Sequence, residues 1–270
     1  MELRFRPLFA VRSDKTTNYT GVKMRLIISV ISFIFLSLAS YARSEQLIFN
    51  SAEFSPFVYQ ENGKMGGPVT DVILLTCKKI NVDCNIKQES FSKSEEQVKA
   101  GAVNGVYLVS WSESRAEWMY YTLPVLRTSW GFFVPATDKK DYLTLSSFSG
   151  HRVGVFGPSS SSKTLDRINP VVNMDIQLSK DDLGNLKKLI QGQLDSVYIN
   201  RDVGLDLMRQ SGLTDKVRFA WTHTERNYHI GFSKKTGRKL VNQFNKALRK
   251  TYESGEAREI LAQRGLESVM

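Results

Sequence analysis

Apolar and polar positions after residue 45 follow two different periods. Short apolar runs, QLIFN (46–50), CNIK (84–87) and GVYLVS (105–110), predict strands. Between them, PVTDVILLTCKKI (68–80) and KSEEQVKAGA (93–102) repeat apolar residues at helical spacing. Strands that alternate with helices at this spacing predict a parallel α/β sheet.

A second unit of the same kind begins after the strand GFFVP (131–135). Its predicted strands are RVGVF (152–156), VNMDIQL (172–178), LDSVYI (194–199) and KVRFAW (216–221). Its predicted helices run through KTLDRI (163–168), KDDLGNLKKLIQG (180–192) and NRDVGLDLMRQSG (200–212). The pattern therefore predicts two α/β units, the second starting near residue 136.

The last elements have no sheet of their own. A strand YHIGFS (228–233) precedes a long amphipathic helix near 235–252 and a short helix near 256–263, which Gly255 separates. We expect these elements to return to the first unit, so that the chain crosses twice between two lobes. Ligands of open α/β sheets bind at the carboxyl ends of the strands, which predicts a cleft between the lobes and hinge closure around a ligand.

An apolar segment precedes the first strand. Residues 24–42, MRLIISVISFIFLSLASYA, contain a basic start, about a dozen mostly apolar residues and small residues at Ser40 and Ala42, as secretory signal peptides do. We expect cleavage near Ala42, with Met24 as a candidate for the true start; an uncleaved anchor is the alternative. No cysteine directly follows the segment, which argues against a lipoprotein.

Composition excludes several classes of function. The 270 residues contain 37 Lys and Arg and 27 Asp and Glu; residues 1–42 contribute six and two of these, which leaves 31 and 25 and a net charge of +6. The basic residues form no cluster with interleaved aromatics, so we expect no nucleic-acid partner. Three scattered histidines without ligand spacing predict no metal site, and no cofactor is expected.

Two cysteines, Cys77 and Cys84, lie close together in LLTCKKINVDCNIK. In an exported protein such a pair predicts a disulfide, which here would join the end of a helix to the start of the next strand. Two buried free thiols are the alternative.

The order and spacing of several stretches resemble a known family. These are FSPFVYQENGKMGGPVTDV, SWSESRAEWMYYTLPVL, RVGVFGPSSS, LDSVYIN and the segment from YHIGFSKK to AQRGL. Over about residues 46–266 the chain is similar to the bacterial extracellular solute-binding proteins of family 3, periplasmic amino-acid-binding proteins with the type II periplasmic binding fold. The resemblance implies an α/β, two-lobed fold with the ligand cleft between the lobes. We expect residues 43–133 with 224–270 to form lobe 1 and residues 134–223 to form lobe 2.

The resemblance also implies a set of ligand-binding residues. Arg115 matches the arginine that grips the ligand carboxylate, with Ser110 as its neighbouring contact and Ser112 as a helper or a helix cap. Ser160 matches the residue that makes the second contact with the ligand carboxylate. Phe54 and Phe91 match the aromatic residues that pack against the ligand. The alternatives are a solvated Arg115 paired with Glu113 or Glu117, serines that only cap a helix, and phenylalanines of the core.

Asn200 departs from the pattern of the family. The family usually has Asp here, where it binds the ligand ammonium, whereas Asn carries no charge. Three explanations stay open: a more weakly held ammonium, substitution by Asp202, or a ligand that is not an ordinary α-amino acid.

The resemblance implies a non-enzymatic function. We expect a monomeric periplasmic protein that captures a small carboxylate-bearing solute, a polar amino acid or a relative, for an inner-membrane ABC permease. A ligand-sensing module for a membrane sensor is the first alternative. The second is an enzyme resembling cyclohexadienyl dehydratases, which needs an acid or base in the cleft; Glu53 and Asp202 are the acids expected nearby.

Overall fold

A computed structural model of the protein describes residues 46–269. The expected signal peptide, residues 24–42, lies outside the described residues. None of the helices between residues 46 and 269 is both long enough and apolar enough to span a bilayer.

The described residues form ten strands and eight α-helices. The strands are β1 Gln46–Ser51, β2 Tyr59–Glu61, β3 Lys64–Gly66, β4 Asp83–Gln88, β5 Gly105–Ser110, β6 Met119–Pro135, β7 Arg152–Phe156, β8 Asp175–Ser179, β9 Ser196–Asn200 and β10 Val217–Ser233. The helices are α1 Pro68–Lys79, α2 Phe91–Ala100, α3 Glu113–Ala116, α4 Ser160–Val172, α5 Asp182–Ile190, α6 Arg201–Gln210, α7 Arg238–Glu253 and α8 Glu256–Ala262. Short 3₁₀ turns cover Leu145–Phe148 and Lys234–Thr236.

Eight of the strands form one hydrogen-bonded sheet in the order β4-β1-β5-β10-β6-β9-β7-β8. The outer strands are parallel to their neighbours, as the alternation of strands and helices predicts. The inner strands β10 and β6 are antiparallel to each other, and each is antiparallel to its outer neighbour. Tyr228 to Phe232 pair with β5, as expected if YHIGFS returns to the first unit.

Two 17-residue strands join the two halves of the sheet. β6 and β10 pair from Met119 with Ser233 to Pro135 with Val217, interrupted by register shifts. The sequence pattern predicts separate short strands here and a helical stretch through SRAEWMYY. Both expectations are wrong: helix α3 ends at Ala116, and the aromatic and β-branched residues that follow already belong to β6. The pairing of β6 with β10 extends over both halves, so the halves share one hydrogen-bonded sheet.

Glycine permits the tight entry into α1. Gly67 has a φ of 99°, and a Cβ atom there would lie 2.8 Å from the carbonyl oxygen of Phe57. Only glycine tolerates both conditions. Pro68 follows at the first helical position, where its missing N–H costs no hydrogen bond.

The buried side chains divide between the two halves. The first core contains Leu47, Phe49, Phe232, Phe244 and Leu266, so it combines residues from both ends of the described chain. The second core is built from residues 130–217. The expected lobe boundaries are compatible with this division and stay a prediction.

A disulfide between Cys77 and Cys84 ties the last turn of α1 to β4, with the two Cα atoms 6.2 Å apart. The predicted pairing is confirmed, and the alternative of two free thiols is wrong.

Candidate functional site

A cavity of about 400 Å³ lies at the carboxyl ends of β7, β8 and β9. The segment after β1 lines its opposite side, so both halves of the sheet contribute. The lining residues are Glu53, Phe54, Ser55, Trp130, Phe156, Ser159, Ser160, Ser161, Asp182, Tyr198, Ile199, Asn200 and Val203. The rule that ligands of open α/β sheets bind at the carboxyl ends of strands therefore places the cavity correctly.

The start of α4 offers polar groups to this cavity. Ser159 caps the helix: its hydroxyl oxygen accepts the N–H groups of Ser161 and Ser162, each at 3.1 Å. Ser162 completes the capping box by accepting the Ser159 N–H at 3.0 Å. The hydroxyl of exposed Ser160 has no partner among residues 46–269, so it is free to contact a ligand at the positive end of the helix.

Asn200 occupies the end of β9 and is 4% exposed. Its Oδ1 atom accepts the backbone N–H groups of Asp202 and Val203, both at 3.1 Å, and thereby caps α6. Its Nδ2 atom donates to Thr128 Oγ1 at 2.8 Å, and the Thr128 hydroxyl donates to Asp202 Oδ2 at 2.6 Å. A buried chain of side chains, Asn200–Thr128–Asp202, thus leads away from the cavity.

Asp202 does not reach the same cavity. It lines a smaller one of about 200 Å³, together with Thr128, Arg127, Arg201 and others. Burial raises the pKa of Asp202, and the hydrogen bond from Thr128 opposes that rise. The expectation that Asp202 belongs to the cleft is not supported by its position.

Aromatic rings form the apolar part of the cavity. Phe54 packs edge-on against Phe57, with ring centroids 4.8 Å apart, and against Tyr228 at 6.2 Å. Tyr228 also contacts Trp130 at 6.4 Å. Tyr228 therefore contacts both Phe54 and Trp130, two of the aromatic residues that line the cavity.

The other four candidates, Arg115, Ser110, Ser112 and Phe91, lie together outside the lining of this cavity. The Arg115 guanidinium donates from Nε to Glu95, donates from Nη1 to the Ser110 carbonyl oxygen at 3.3 Å, and lies 5.1 Å from the centre of the Phe91 ring. Ser112 caps α3 by accepting the Arg115 N–H at 3.4 Å. Sequence reasoning named Glu113 or Glu117 as ion-pair partners of Arg115, whereas the structure assigns Glu95.

This corner, defined by Arg115, Ser110 and Glu95, adjoins the cavity through the sheet. Ser110 is paired with Tyr228 in the ladder between β5 and β10. Tyr228 in turn contacts Phe54, which lines the cavity. The structure thus places three candidates, Phe54, Ser160 and Asn200, in the cavity and four beside it.

Asp182 is a cavity residue that the sequence interpretation missed. It is the first residue of α5 and lies at the carboxyl end of β8, the same sheet edge as Ser160 and Asn200. Its neighbour Asp181 caps α5, accepting the N–H groups of Leu183 and Gly184. Asp182 itself has no hydrogen-bond or ion-pair partner within the described chain. Burial, with a smaller contribution from the Asp181 charge, raises the pKa of Asp182 to about 6.

This pKa has a consequence for stability. Because folding raises the pKa of Asp182 from its ordinary value near 4, the folded protein holds this proton more tightly, and stability falls as the pH rises from about 4 to about 6. We expect Asp182→Asn to be more stable than the parent protein by about 1–2 kcal/mol at about pH 7.5 and equally stable at about pH 4. Urea denaturation at both pH values measures this, with Asp181→Asn as the control that keeps the helix cap. A pH-independent difference would contradict it.

Within residues 46–269, no group of three or more histidine, cysteine, aspartate or glutamate side chains is placed to hold a metal ion. His223 lies near the cavity, where its Nδ1 atom is 2.9 Å from the Tyr198 hydroxyl oxygen, and burial lowers its pKa. The expected absence of a cofactor stays a prediction.

Comparisons with known proteins agree with this architecture. The chain is 25% identical over 163 residues to YxeM of Bacillus subtilis (strain 168), which is named as a probable amino-acid-binding protein. The match covers 60% of this chain and 61% of YxeM, so it spans less than two thirds of the length of that relative. The second substrate-binding domain of Lactococcus lactis GlnP, in an open conformation, has a similar fold, with a TM-score of 0.68 at 17% identity, covering 84% of this chain and 98% of that one.

A sensor domain of a histidine kinase that resembles periplasmic binding proteins also shares the fold. Its TM-score is 0.63 at 18% identity, covering 84% of this chain and 99% of that domain. A family model for bacterial extracellular solute-binding proteins, family 3, matches residues 47–265. Such proteins lie outside the cytoplasm, in the periplasm or the extracellular space. The two-lobed α/β fold, the cavity at the carboxyl ends of its strands and this match together show that the chain belongs to the bacterial extracellular solute-binding proteins of family 3.

Proposed function

We propose that the protein captures a small, carboxylate-bearing solute, an amino acid or a relative, in the periplasm and presents it to an inner-membrane ABC permease. The observation that carries this proposal is the cavity of about 400 Å³ between the halves of the sheet. Its volume lies within the range of about 300–1,000 Å³ typical of small-molecule sites. The name of the relative YxeM supports an amino-acid-like ligand.

The carboxylate would first meet the start of α4. The Ser160 hydroxyl lines the cavity, and the positive end of the helix favours an anion. Ser159 is occupied as the cap, so its hydroxyl serves the helix and not the ligand.

Arg115 would join the site as the halves close. Its Nε atom and its Nη1 atom already have acceptors, whereas its Nη2 atom has none within the described residues. Glu95 holds the guanidinium through Nε, and the Ser110 carbonyl oxygen holds it through Nη1, which leaves Nη2 for a ligand carboxylate. Hinge motion about β6 and β10 would bring the Arg115 corner and the start of α4 to the same ligand.

Replacing Arg115 is expected to weaken ligand binding. In Arg115→Ala, the dissociation constant of a carboxylate-bearing ligand should rise about tenfold or more, because a charge-assisted hydrogen bond is lost. Isothermal titration calorimetry measures the change for a ligand found by a thermal-shift screen of amino acids, amines and organic acids. Arg249→Ala, which removes an exposed arginine on α7, is the matched control. Equal affinities of the two variants would refute the carboxylate clamp.

Two other functions use the same cavity. The likeness to a histidine kinase sensor domain supports a sensing role, which a membrane sensor encoded beside this gene would favour over a permease. An enzyme resembling cyclohexadienyl dehydratases would need Glu53 or Asp182 as its acid, since Asp202 lines the other cavity. Turnover of prephenate by the purified protein would establish that alternative; we expect none.

A further inference from the structure

We propose that the cavity selects a ligand with a positively charged group, which Asp182 binds, and that Asn200 offers this ligand only an N–H donor. The inference rests on the proposed function, because it concerns the same cavity. It assigns a role to Asp182 and explains the departure at Asn200.

The hydrogen bonds of Asn200 fix the orientation of its amide. An amide oxygen has two lone pairs, and here the backbone N–H groups of Asp202 and Val203 use both. Turning the amide over would place its NH₂ group against these two donors. The oxygen is therefore committed to the helix cap and has no lone pair left for a ligand ammonium.

The nitrogen of the same amide keeps one free N–H. Nδ2 donates one hydrogen bond to Thr128 Oγ1 at 2.8 Å, and the Thr128 hydroxyl donates its own hydrogen bond to Asp202. A donor at this place suits a carbonyl, hydroxyl or carboxylate oxygen and repels an ammonium. Asp202 gives no substitute charge, because it faces Thr128 and, at 3.6 Å, Arg201.

The uncompensated negative charge of the cavity lies instead at Asp182. Among the lining residues within the described chain, two are acidic, Glu53 and Asp182, and none is lysine or arginine. Glu53 is exposed and accepts the N–H of Gln60 at 3.0 Å. Asp182 is half-buried and without a partner in the same part of the chain. A carboxylate withdrawn from water in this way is satisfied by a cation. None of the lining residues in the described part of the chain supplies one, so the ligand is the expected source.

The aromatic residues are compatible with such a cation. Phe54, Trp130 and Tyr198 present ring faces or edges to the cavity, and ring faces attract cations. Arg226 stacks on Trp130, with its guanidinium carbon 5.0 Å from the ring centre, but Arg226 is not among the residues that line the cavity. Arg226 is thus occupied on this ring, and it forms no ion pair with Asp182 within the described residues.

Calorimetric titration with matched ligands tests the inference. Lysine is compared with its uncharged counterpart norleucine and arginine with citrulline, and ornithine is a further cationic amino acid. Putrescine carries no carboxylate, and succinate carries no ammonium group. We expect the intact protein to bind at least one side-chain cation about tenfold or more tightly than its neutral counterpart. Asp182→Asn should abolish this preference, whereas Asp181→Asn, which removes the same charge one residue away and keeps the cap, should retain it.

Each outcome separates the inference from the proposed function. If cationic and neutral counterparts bind alike, or if Asp182→Asn and Asp181→Asn bind cations alike, the inference is overturned while amino-acid binding stands. If putrescine binds through Asp182 and no amino acid binds, the inference holds and the proposed carboxylate-bearing solute is wrong. If no cationic compound binds, the inference is overturned; binding of succinate alone would then still support a carboxylate-bearing solute.

Discussion

Thr128→Val is expected to lower the free energy of unfolding by about 2–4 kcal/mol. The Thr128 hydroxyl lies in the middle of the hydrogen-bonded side chains Asn200–Thr128–Asp202. It accepts a hydrogen bond from Asn200 and donates one to Asp202. Thr128 is 3% exposed and lines the cavity of about 200 Å³, so water in that cavity would offset only part of the loss. Valine has the same shape but leaves a buried amide N–H and a buried carboxylate each without this partner. Chemical denaturation followed by circular dichroism measures the loss.

The same substitution elsewhere provides the control. Thr251 is fully buried, but its hydroxyl donates only to the Ala247 carbonyl oxygen of its own helix, at 3.0 Å. Thr251→Val should therefore cost about 1 kcal/mol or less. Thr128→Ser keeps the hydroxyl and should recover most of the loss. If Thr128→Val were as mild as Thr251→Val, the buried chain would contribute little to stability.

Removing the disulfide is expected to have an effect of similar size. Cys77 and Cys84 are seven residues apart, and a cross-link that closes a loop this short stabilises a protein by about 2–3 kcal/mol, mainly by restricting the unfolded chain. The double variant Cys77→Ala, Cys84→Ala should lose that amount in denaturant titrations under oxidising conditions.

A reductant distinguishes the cross-link from the packing of the two side chains. The parent protein in dithiothreitol should approach the stability of the double variant, and the variant itself should not respond to dithiothreitol. Equal stability of the parent protein with and without the reductant, once the bond is shown to be reduced, would contradict the predicted role. Since Cys77 is buried, a loss in the variant that reduction does not reproduce would reflect packing alone.

Local pattern predicted most of the fold. The run GVYLVS corresponds to β5 residue for residue, and the helical period of residues 68–80 gave α1 within one residue. Local pattern failed for β6, because Pro124, Arg127 and Thr128 interrupt any regular alternation there. The limits of this strand are set by its pairing with β10, about a hundred residues later in the chain. The hydrophobic period within one segment carries no information about a partner so distant in sequence.

The candidate site was predictable where it depends on the ends of strands. Ser160 lies shortly after β7 and Asn200 is the last residue of β9, so the strand-end rule brings them together. Asp182 was missed because an acid in the first turn of a helix has an ordinary explanation, attraction to the helix dipole. Only burial and the absence of a partner distinguish it from its neighbour Asp181. Glu95 was missed because its contact with Arg115 joins two helices 20 residues apart.

The composition of the first core determines when it can form during synthesis. It requires Leu47 and Phe49 from β1 together with Phe244 from α7 and Leu266 near the carboxyl terminus. A chain that emerges amino end first therefore holds β1, the earliest strand, without its partners until nearly all later residues are available. The buried residues of the second core, by contrast, all lie within residues 130–217, and Phe54, Trp221 and Tyr228 pack against them. The middle of the chain can thus become compact first. The two ends are synthesised first and last, so the core that they share forms at the end.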